Sequence, residues 1–426
     1  MKTKAEILDL VEREDVEFIR LQFTDMFGNL KNVAVTAAQL GRVLDKKYAF
    51  DGSSVFGDNN TIEEEYYLVP DMDTFAILPW RPQHGKVARL LCDVCDEDGN
   101  TLEMSPRTIL KRAIQSAKEK GYTFYIDPEC EFFLFHTDED GIPTTVTHET
   151  AGYMDVGPLD LGENARRDIV LALEEMGFEI ESSHHESAPG QHEIDFQEAE
   201  PLHIADSMVT FKSAVKSISR RFGLHATFMP KPKQGVAGSG LHINISVYKD
   251  GRNVFNSNDR TEVTEEAKWF MGGILKHVKS MCAITNPLVN SYKRIVSGFE
   301  APQDIMWTCR HRNASVKVRT RLGEDSKIEL RFPDPSANPY LAIAICMAAG
   351  LDGLERRLDP GSSDVSQGSL PGTLREAIGF LREDTFIQEE FGKEFVQIYA
   401  EAKMQEWDAY MTQVSDWEIN QYLNRI

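Results

Sequence analysis

Six side chains in this sequence have the types to build one metal-binding wall. Glu129 and Glu131 lie two apart in "PECEFFLF". Glu186 and Glu193 bracket an Ala-Pro-Gly-Gln turn in "HHESAPGQHEIDF". His242 opens "LHINISV", and Glu329 lies in "KIELRF". Five carboxylates on one surface repel strongly, and two divalent ions would relieve that repulsion. A carboxylate-rich donor set favours Mg²⁺ or Mn²⁺, whereas zinc takes more His or Cys. The neighbouring His184, His185 and His192 lack a metal-ligand spacing and read as hydrogen-bonded scaffold.

A second cluster is basic. "NSYKRIVSGFEAP" carries Lys293, Arg294 and Glu300, and "CRHRNASVKVRTR" carries Arg310, Arg312, Lys317, Arg319 and Arg321; Arg331 follows. Such a density of arginine in an acidic protein points to carboxylate or phosphate ligands. For Arg319 and Arg321 a solvated basic strand is the expected role. "GVAGSG" before the His242 strand permits close backbone approach to a ligand. No G-x-x-x-x-G-K-[ST] occurs, which excludes a P-loop. This chemistry alone reaches a metal-dependent, ATP-using transferase or ligase, with a metal hydrolase as the alternative.

Strands must carry most of these groups. In "PECEFFLF", "QHEIDF", "LHINISV" and "KIELRF" polar and apolar residues alternate, so Glu129 and Glu131, Glu193 and Asp195, His242, Asn244 and Ser246, and Glu329 and Arg331 each fall on one face. Four strands with an apolar face and an ionised one suggest a sheet lining a wet cleft. Upstream, residues 4–14 have helical spacing, "VEFIRLQFTDMFGNLKNVAV" reads as a hairpin, and "FAILPW" and "KVARLLCDVC" add strands. "SPRTILKRAIQSAKEKGY" opens a helix with a Ser cap and Pro at its first turn. The expected division is a small α+β domain over residues 1–100 and a larger one over 101–426.

The 426 residues are 41% hydrophobic and 27% charged, an ordinary globular balance, and the element pattern fits an α+β fold. The net charge of −22 argues against nucleic acid or an anionic membrane as partner. The N-terminal residues lack the apolar core of a signal peptide, and the longest apolar run, "YLAIAICMAAG", is too short to span a bilayer and reads as a core helix. Six cysteines make no disulfide framework, Cys92 and Cys95 read as strand residues, and a reducing cytoplasm is expected.

Together with "FDGSS" and "ELRFPDPSANPYLA", the quoted motifs resemble those of class I glutamine synthetases, in order and spacing, over nearly the whole chain. The resemblance implies a small β-grasp N-terminal domain and a large catalytic domain on a curved antiparallel sheet flanked by helices. It implies two stacked hexamer rings with active sites between subunits. It places Glu131, Glu186 and Glu193 around one Mg²⁺ or Mn²⁺ and Glu129, His242 and Glu329 around another. Arg294, Arg331 and Gly238 fall at positions for glutamate and the transferred phosphate, and Glu300 at a closing flap. Asp51, from a neighbouring subunit, matches the group that deprotonates ammonium, in a pocket with Ser54, Tyr153 and Glu186. Arg312, Lys317 and Lys327, with Glu181, Asn244 and Ser246, fall near ATP. The activity so implied joins L-glutamate and ammonia at the expense of ATP, through γ-glutamyl phosphate.

Several residues depart from the family's usual pattern. Ala237 stands where Asn is common, Lys317 and Lys327 where Arg is, Ser297 where Pro is, His311-Arg312-Asn313 where N-R-S is, and Met154 where Phe follows the Tyr. Asn60 occupies a position that is a regulatory Arg in the Gram-positive branch, and the segment from Asp359 to Pro371 has no Tyr for adenylylation. These departures keep two alternatives open. One is a γ-glutamyl ligase that uses an organic amine such as a polyamine or ethanolamine. The other is a catalytically weak regulatory paralogue.

Overall fold

The computed structural model describes residues 2–53, 55, 64–81, 84–257, 262–296, 298–319 and 325–426. Ser54, Asn60, Ser297 and Arg321 lie outside them. The first part of the chain runs α1 (Lys4–Arg13), β1 (Val16–Thr24), β2 (Leu30–Thr36), α2 (Ala37–Lys46), β3 (Tyr48–Asp51), β4 (Glu65–Pro70), β5 (Ala76–Ile77) and β6 (Lys86–Cys95). Thr3 and Glu6 close a capping box on α1, and Ile7 and Val11 bury its inner face. The expected hairpin is the β1–β2 pair, with Phe18 opposite Thr36 and Thr24 opposite Leu30. The sheet order is β2-β1-β6-β4-β3, with β5 beside β6, and β1 and β6 run parallel. Cys92 and Cys95 are buried in β6, so they are core strand residues as expected.

The second part contains α3 (Pro106–Glu119), β7 (Tyr122–His136), α4 (Glu163–Glu175), β8 (Ile180–His185), β9 (Gln191–Phe196), α5 (Pro201–Ser219), β10 (Leu224–Thr227), β11 (Leu241–Lys249) and β12 (Arg252–Asn253). It continues with α6 (Glu265–Thr285), α7 (Ser291–Arg294), β13 (Asp304–Thr308), β14 (Ala314–Arg319), β15 (Lys327–Leu330), α8 (Pro339–Arg356) and four further helices to Tyr422. Its sheet runs β13-β14-β15-β11-β7-β9-β8, with β10 on β7 and β12 on β11. Pairing is antiparallel throughout except at the edge, where β13 and β14 are parallel. Pro106 opens α3 as the sequence suggests, but Ser105 makes no side-chain cap bond. The apolar run before Gly350 forms the middle of α8, buried against α3, α5 and α6. No helix among the described residues is long and apolar enough to cross a membrane.

One buried ion cluster ties the two parts together. Arg107 of α3, 4% exposed, bonds Asp71 and Asp93 of the first part, each at 2.7 Å, and Asp206 of α5 at 2.9 Å. The Tyr340 hydroxyl donates to Asp206 at 2.6 Å. The β1–β2 turn also docks: Asn338 donates to the carbonyls of Asp25 and Met26, and Gly28 sits so close that a Cβ there would meet the Asn338 backbone at 2.8 Å. Breaking a buried pair strands its partners, which typically costs about 3–5 kcal/mol. Arg107→Ala is therefore expected to lower the denaturant midpoint by a free energy of that order, whereas Arg13→Ala, at an exposed pair, should change it by less than about 1 kcal/mol. Urea unfolding followed by fluorescence checks both.

Candidate active site

Strand register assembles the charged wall. Glu129 pairs with His242 and Asp127 with Asn244 across β7–β11. Glu131 pairs with Glu193, and Glu129 with Asp195, across β7–β9. Asn244 pairs with Glu329 across β11–β15, and Glu329 with Lys317 across β14–β15. The intervening residues Ile126, Cys130, Ile194, Ile243, Ile245, Ile328 and Leu330 point the other way, into the helical core. Beyond Glu131 the strand turns apolar, and Phe133 and Phe135 pack with Ala188 beneath Val236 and Ala237 of the Gly-rich loop.

Glu129, His242 and Glu329 bring ligand atoms within 4.8 Å of one another, and so do Glu131, Glu193 and His242. His242 Nδ1 lies 3.0 Å from Glu129 Oε2 and 3.7 Å from Glu329 Oε1. Glu131 Oε2 accepts from Gln191 Nε2 at 2.6 Å and from the Gly240 N–H at 2.9 Å. Glu186 lies in the turn after β8, where its Oε2 accepts from the Ser187 N–H and its Oε1 is 3.6 Å from His184 Nδ1. Oε2 of Glu329 and Oδ1 of Asp195 and of Asp127 are buried without a hydrogen-bond partner. Buried acceptors left open in a carboxylate-rich set with one imidazole fit a hard divalent cation.

Basic groups close the other side of the cleft. Arg294 is buried at the end of α7 and donates to the carbonyls of Arg331, Phe332 and Pro333. A Cβ at Gly240 would come within 2.7 Å of its Nη2, and one at Gly238 within 2.1 Å of the Pro230 carbonyl, so this loop needs glycine for close approach. Arg331 donates to Glu329. Lys327 reaches Asp127 at 2.8 Å and Glu198 at 3.4 Å. Lys317 lies 3.9 Å from Glu329. Arg319 is not the solvated strand residue that the sequence suggests: its guanidinium donates to Glu129 and to Asn244, inside the wall.

At the rim, Glu300 accepts from Arg312 at 3.2 Å and from the Ser187 hydroxyl at 3.1 Å. Its φ of 58° and that of Met154, 59°, lie in the left-handed region, unusual for such side chains and found where surrounding structure holds the backbone. Tyr153 and Met154 stand exposed, the Tyr153 ring edge-on to His184 at 5.4 Å. Tyr153, Glu181, Glu300 and Arg312 all line the cleft, as do Gly238, Arg294 and the carboxylate wall. Asp51, Asn244 and Ser246 are not among its lining residues. Asn244 sits beneath the wall and donates to Glu129 at 3.1 Å. Ser246 donates to Glu198 farther along. Asp51 ends β3 and accepts from Ser53.

The three histidines of the turn are hydrogen-bonded or ion-paired, and they also fall in groups with ligand atoms within 4.8 Å of one another: His185 and His192 with Glu149 and Asp160, and His184 with Glu193 and Asp195. His185 bridges Glu149 at 2.7 Å and the carbonyls of Gly152 and Glu186, tying the Tyr153 loop to the Glu186 turn. His192 accepts from Arg166, which pairs with Asp160. His184 alone faces the cleft, 3.8 Å from Glu193.

Two domain models of one family match this chain. That described as "Glutamine synthetase, catalytic domain" covers residues 103–422, and "Glutamine synthetase, beta-Grasp domain" covers residues 15–97. The chain belongs to the glutamine synthetase family. Proteins named glutamine synthetase from Clostridium saccharobutylicum and Thermus thermophilus are 50% and 48% identical to it, each over 99% of both chains. One from Staphylococcus aureus is 46% identical over 99% of this chain and 98% of its own. A solved chain titled "GmaS/ADP complex" superposes with a TM-score of 0.89 at 31% identity, over 98% of this chain and 99% of that one. "Apo GmaS without ligand" gives 0.89 at 30%, over the whole of both. The fold is thus the family's: a β-grasp domain followed by a catalytic domain on a curled sheet.

The expected ligand set leaves out several residues that the wall uses. Asp127, Asp195, Gln191 and Arg319 line it alongside the expected ligands. Asp127 and Asp195 were accessible from strand alternation, each two residues from a named carboxylate. Arg319 needed the register of β14 on β15.

Charge crowding sets the protonation of the ion-free wall. Burial and then Glu131 and Asp195 push Glu193 well above the usual carboxylate range, and burial and then Glu186 push Glu131 up. Burial raises Asp127 to about 7 despite Lys327. Burial also favours the neutral form of Glu129, but His242 and then Arg319 outweigh it and hold that carboxyl well below its ordinary value. Burial and Arg331 lower His242, which keeps its ring neutral and able to ligate. Groups raised in the fold hold protons that the unfolded chain releases above about pH 4.5, so their contribution to stability falls as pH rises. The melting temperature of chelator-treated protein is expected to fall between pH 5.5 and 8, and the gain on adding Mn²⁺ to grow over that range. In a Glu131→Gln, Glu193→Gln double variant both slopes should flatten, as read by scanning fluorimetry.

Proposed function

We propose that the protein is a glutamine synthetase that joins ammonia to the γ-carboxylate of L-glutamate with ATP. The observation that carries this reading is the register bringing Glu129, His242 and Glu329 within ligand distance, with Glu131 and Glu193 alongside. Glu131, Glu186 and Glu193 would hold one Mg²⁺ or Mn²⁺ and Glu129, His242 and Glu329 another. Bound there, the ions supply charge that offsets the triphosphate and the developing phosphoryl transfer.

The chain's own groups do the rest. A γ-carboxylate oxygen of glutamate attacks the γ-phosphorus of ATP, and ADP leaves. Arg294 and Arg331 face the place where that phosphoryl group crosses, and their fixed forks suit carboxylate and phosphate oxygens. Gly238 lines the cleft without a side chain, where its backbone would contact glutamate. Arg312, Lys317 and Lys327 line the side assigned to the nucleotide, with Glu181, Asn244 and Ser246 nearby; a structural neighbour titled as an ADP complex supports nucleotide binding. Ammonium binds among Tyr153, Glu186 and Ser54, gives a proton to Asp51, and attacks the acyl carbon of γ-glutamyl phosphate, from which phosphate departs. Glu300, fastened to Arg312 and Ser187, closes over this intermediate and keeps water out.

Asp51 does not line the cleft of its own chain. The reading therefore includes a homo-oligomer in which Asp51 of one protomer completes a neighbour's site, as two stacked hexamer rings, in the cytoplasm. It also takes residues 1–100 and 101–426 as the two domains.

Phosphate release from Mg-ATP and L-glutamate, with ammonium and a panel of amines supplied in turn, tests the activity. Ammonium-dependent turnover is expected, falling about a hundredfold or more in Asp51→Ala and in Glu329→Ala. Turnover only with an organic amine would assign the exposed Tyr153–Met154 pocket to that acceptor. No turnover with any amine, in assembled and ion-loaded protein, would overturn the enzyme reading. Sedimentation velocity checks the assembly, and mixing inactive Asp51→Ala with inactive Glu329→Ala protomers should restore some activity if sites are shared between subunits.

A further inference from the structure

The guanidinium of Arg319 occupies the middle of one carboxylate set. Its Nη1 donates to Glu129 Oε1 and, at 3.1 Å, to Asn244 Oδ1, while its Nε lies 3.6 Å from Glu329 Oε2. Glu129 and Glu329 are the two carboxylates grouped with His242 within 4.8 Å. One side-chain cation thus bridges the pair that would share a divalent ion. The other set differs: Glu131 is held by neutral donors, the Gln191 amide and the Gly240 N–H.

Backbone geometry explains the placement. Alternation along β14 puts Lys317 and Arg319 on one face, and the pairing with β15 sets them opposite Glu329 and Lys327. Lys317 stays 3.9 Å from Glu329. The longer, forked Arg319 reaches past Glu329 to Glu129. Three of its contacts are then made to groups on three strands, β7, β11 and β15. A guanidinium brings one positive charge and fixed donors, and a divalent ion brings two charges and needs the same oxygens. The two cannot both use Glu129 and Glu329 fully.

We propose that Arg319 is a resident counter-ion of the Glu129–His242–Glu329 site, which holds the two carboxylates together in the ion-free chain and must be displaced by an entering divalent ion. It is a positioning residue that sets ion affinity. The inference rests on the ligand assignment made under the proposed function. Displacement leaves the fork on the same strand face as Lys317, where a nucleotide phosphate offers it new acceptors.

Mn²⁺ binding, read from the electron paramagnetic resonance of the free ion, tests this on assembled, chelator-stripped protein without nucleotide. Wild type, Arg319→Gln, Arg319→Lys and Glu129→Gln are compared. Glu129→Gln should lose one class of bound ion, which identifies the site. Arg319→Gln should bind that class about tenfold or more tightly, a typical coupling between two ligands of one site. Arg319→Lys, which keeps the charge and loses the fork, should fall between the two and carries the test if Arg319→Gln does not fold. Arg319→Gln should also melt lower than wild type under chelator, with Mn²⁺ closing the gap. Equal or weaker Mn²⁺ binding in both Arg319 variants would overturn the proposal. Unchanged stoichiometry in Glu129→Gln would refute the ligand assignment, and the proposal with it.

Discussion

Carboxylates placed on adjacent strands of one sheet, a few ångströms apart and largely out of water, repel one another and resist ionisation. The catalytic half of this protein is arranged around that repulsion. Three devices offset it in the chain itself. Neutral donors hold Glu131. Cations hold Glu129, Glu329 and Asp127. Where these do not suffice, burial and neighbouring carboxylates favour the protonated form, at Glu193 above all. The unused acceptors of Glu329 and Asp195 mark where the offset is incomplete. A divalent cation has the charge and the oxygen preference to complete it.

Such a wall works only if it cannot relax. Carboxylates on flexible loops would swing apart into water. Here most are fixed by ladders of backbone hydrogen bonds, with the opposite face of each strand packed on helices. Other cleft groups are placed differently. Glu186, Glu300 and Tyr153 lie on turns at the rim, and His185 links two of those turns from behind. That division gives the cleft a wall built on strands and a rim built on turns. The Arg107 cluster holds the first sheet against this frame.

Much of this was readable from the chain. The alternation in "PECEFFLF", "QHEIDF", "LHINISV" and "KIELRF" placed Glu129, Glu131, Glu193, His242 and Glu329 on the polar faces of their strands, because side chains on a strand repeat every two residues. It also placed Asp195 there, although Asp195 is outside the expected ligand set; Asp127 lies just before those runs, two residues from Glu129. The reading of Arg319 failed for the opposite reason. Alternation places a side chain on a face but does not say which strand lies next to it, and a basic residue beside solvent looks the same in sequence as one beside Glu129.

Sequence by itself therefore determined the fold class, the family, the polar face of each strand and the kinds of group available for ion and phosphate binding. Those properties depend on local periodicity and residue chemistry, which the chain carries in every conformation. Tertiary structure decided which charges meet. The β7–β11, β11–β15 and β14–β15 registers bring residues far apart in the chain to within a few ångströms, where Coulomb energy depends steeply on distance and burial. Protonation, the partner of Arg319 and the separation of Asp51 from its own cleft all follow from those distances, and no single segment contains them.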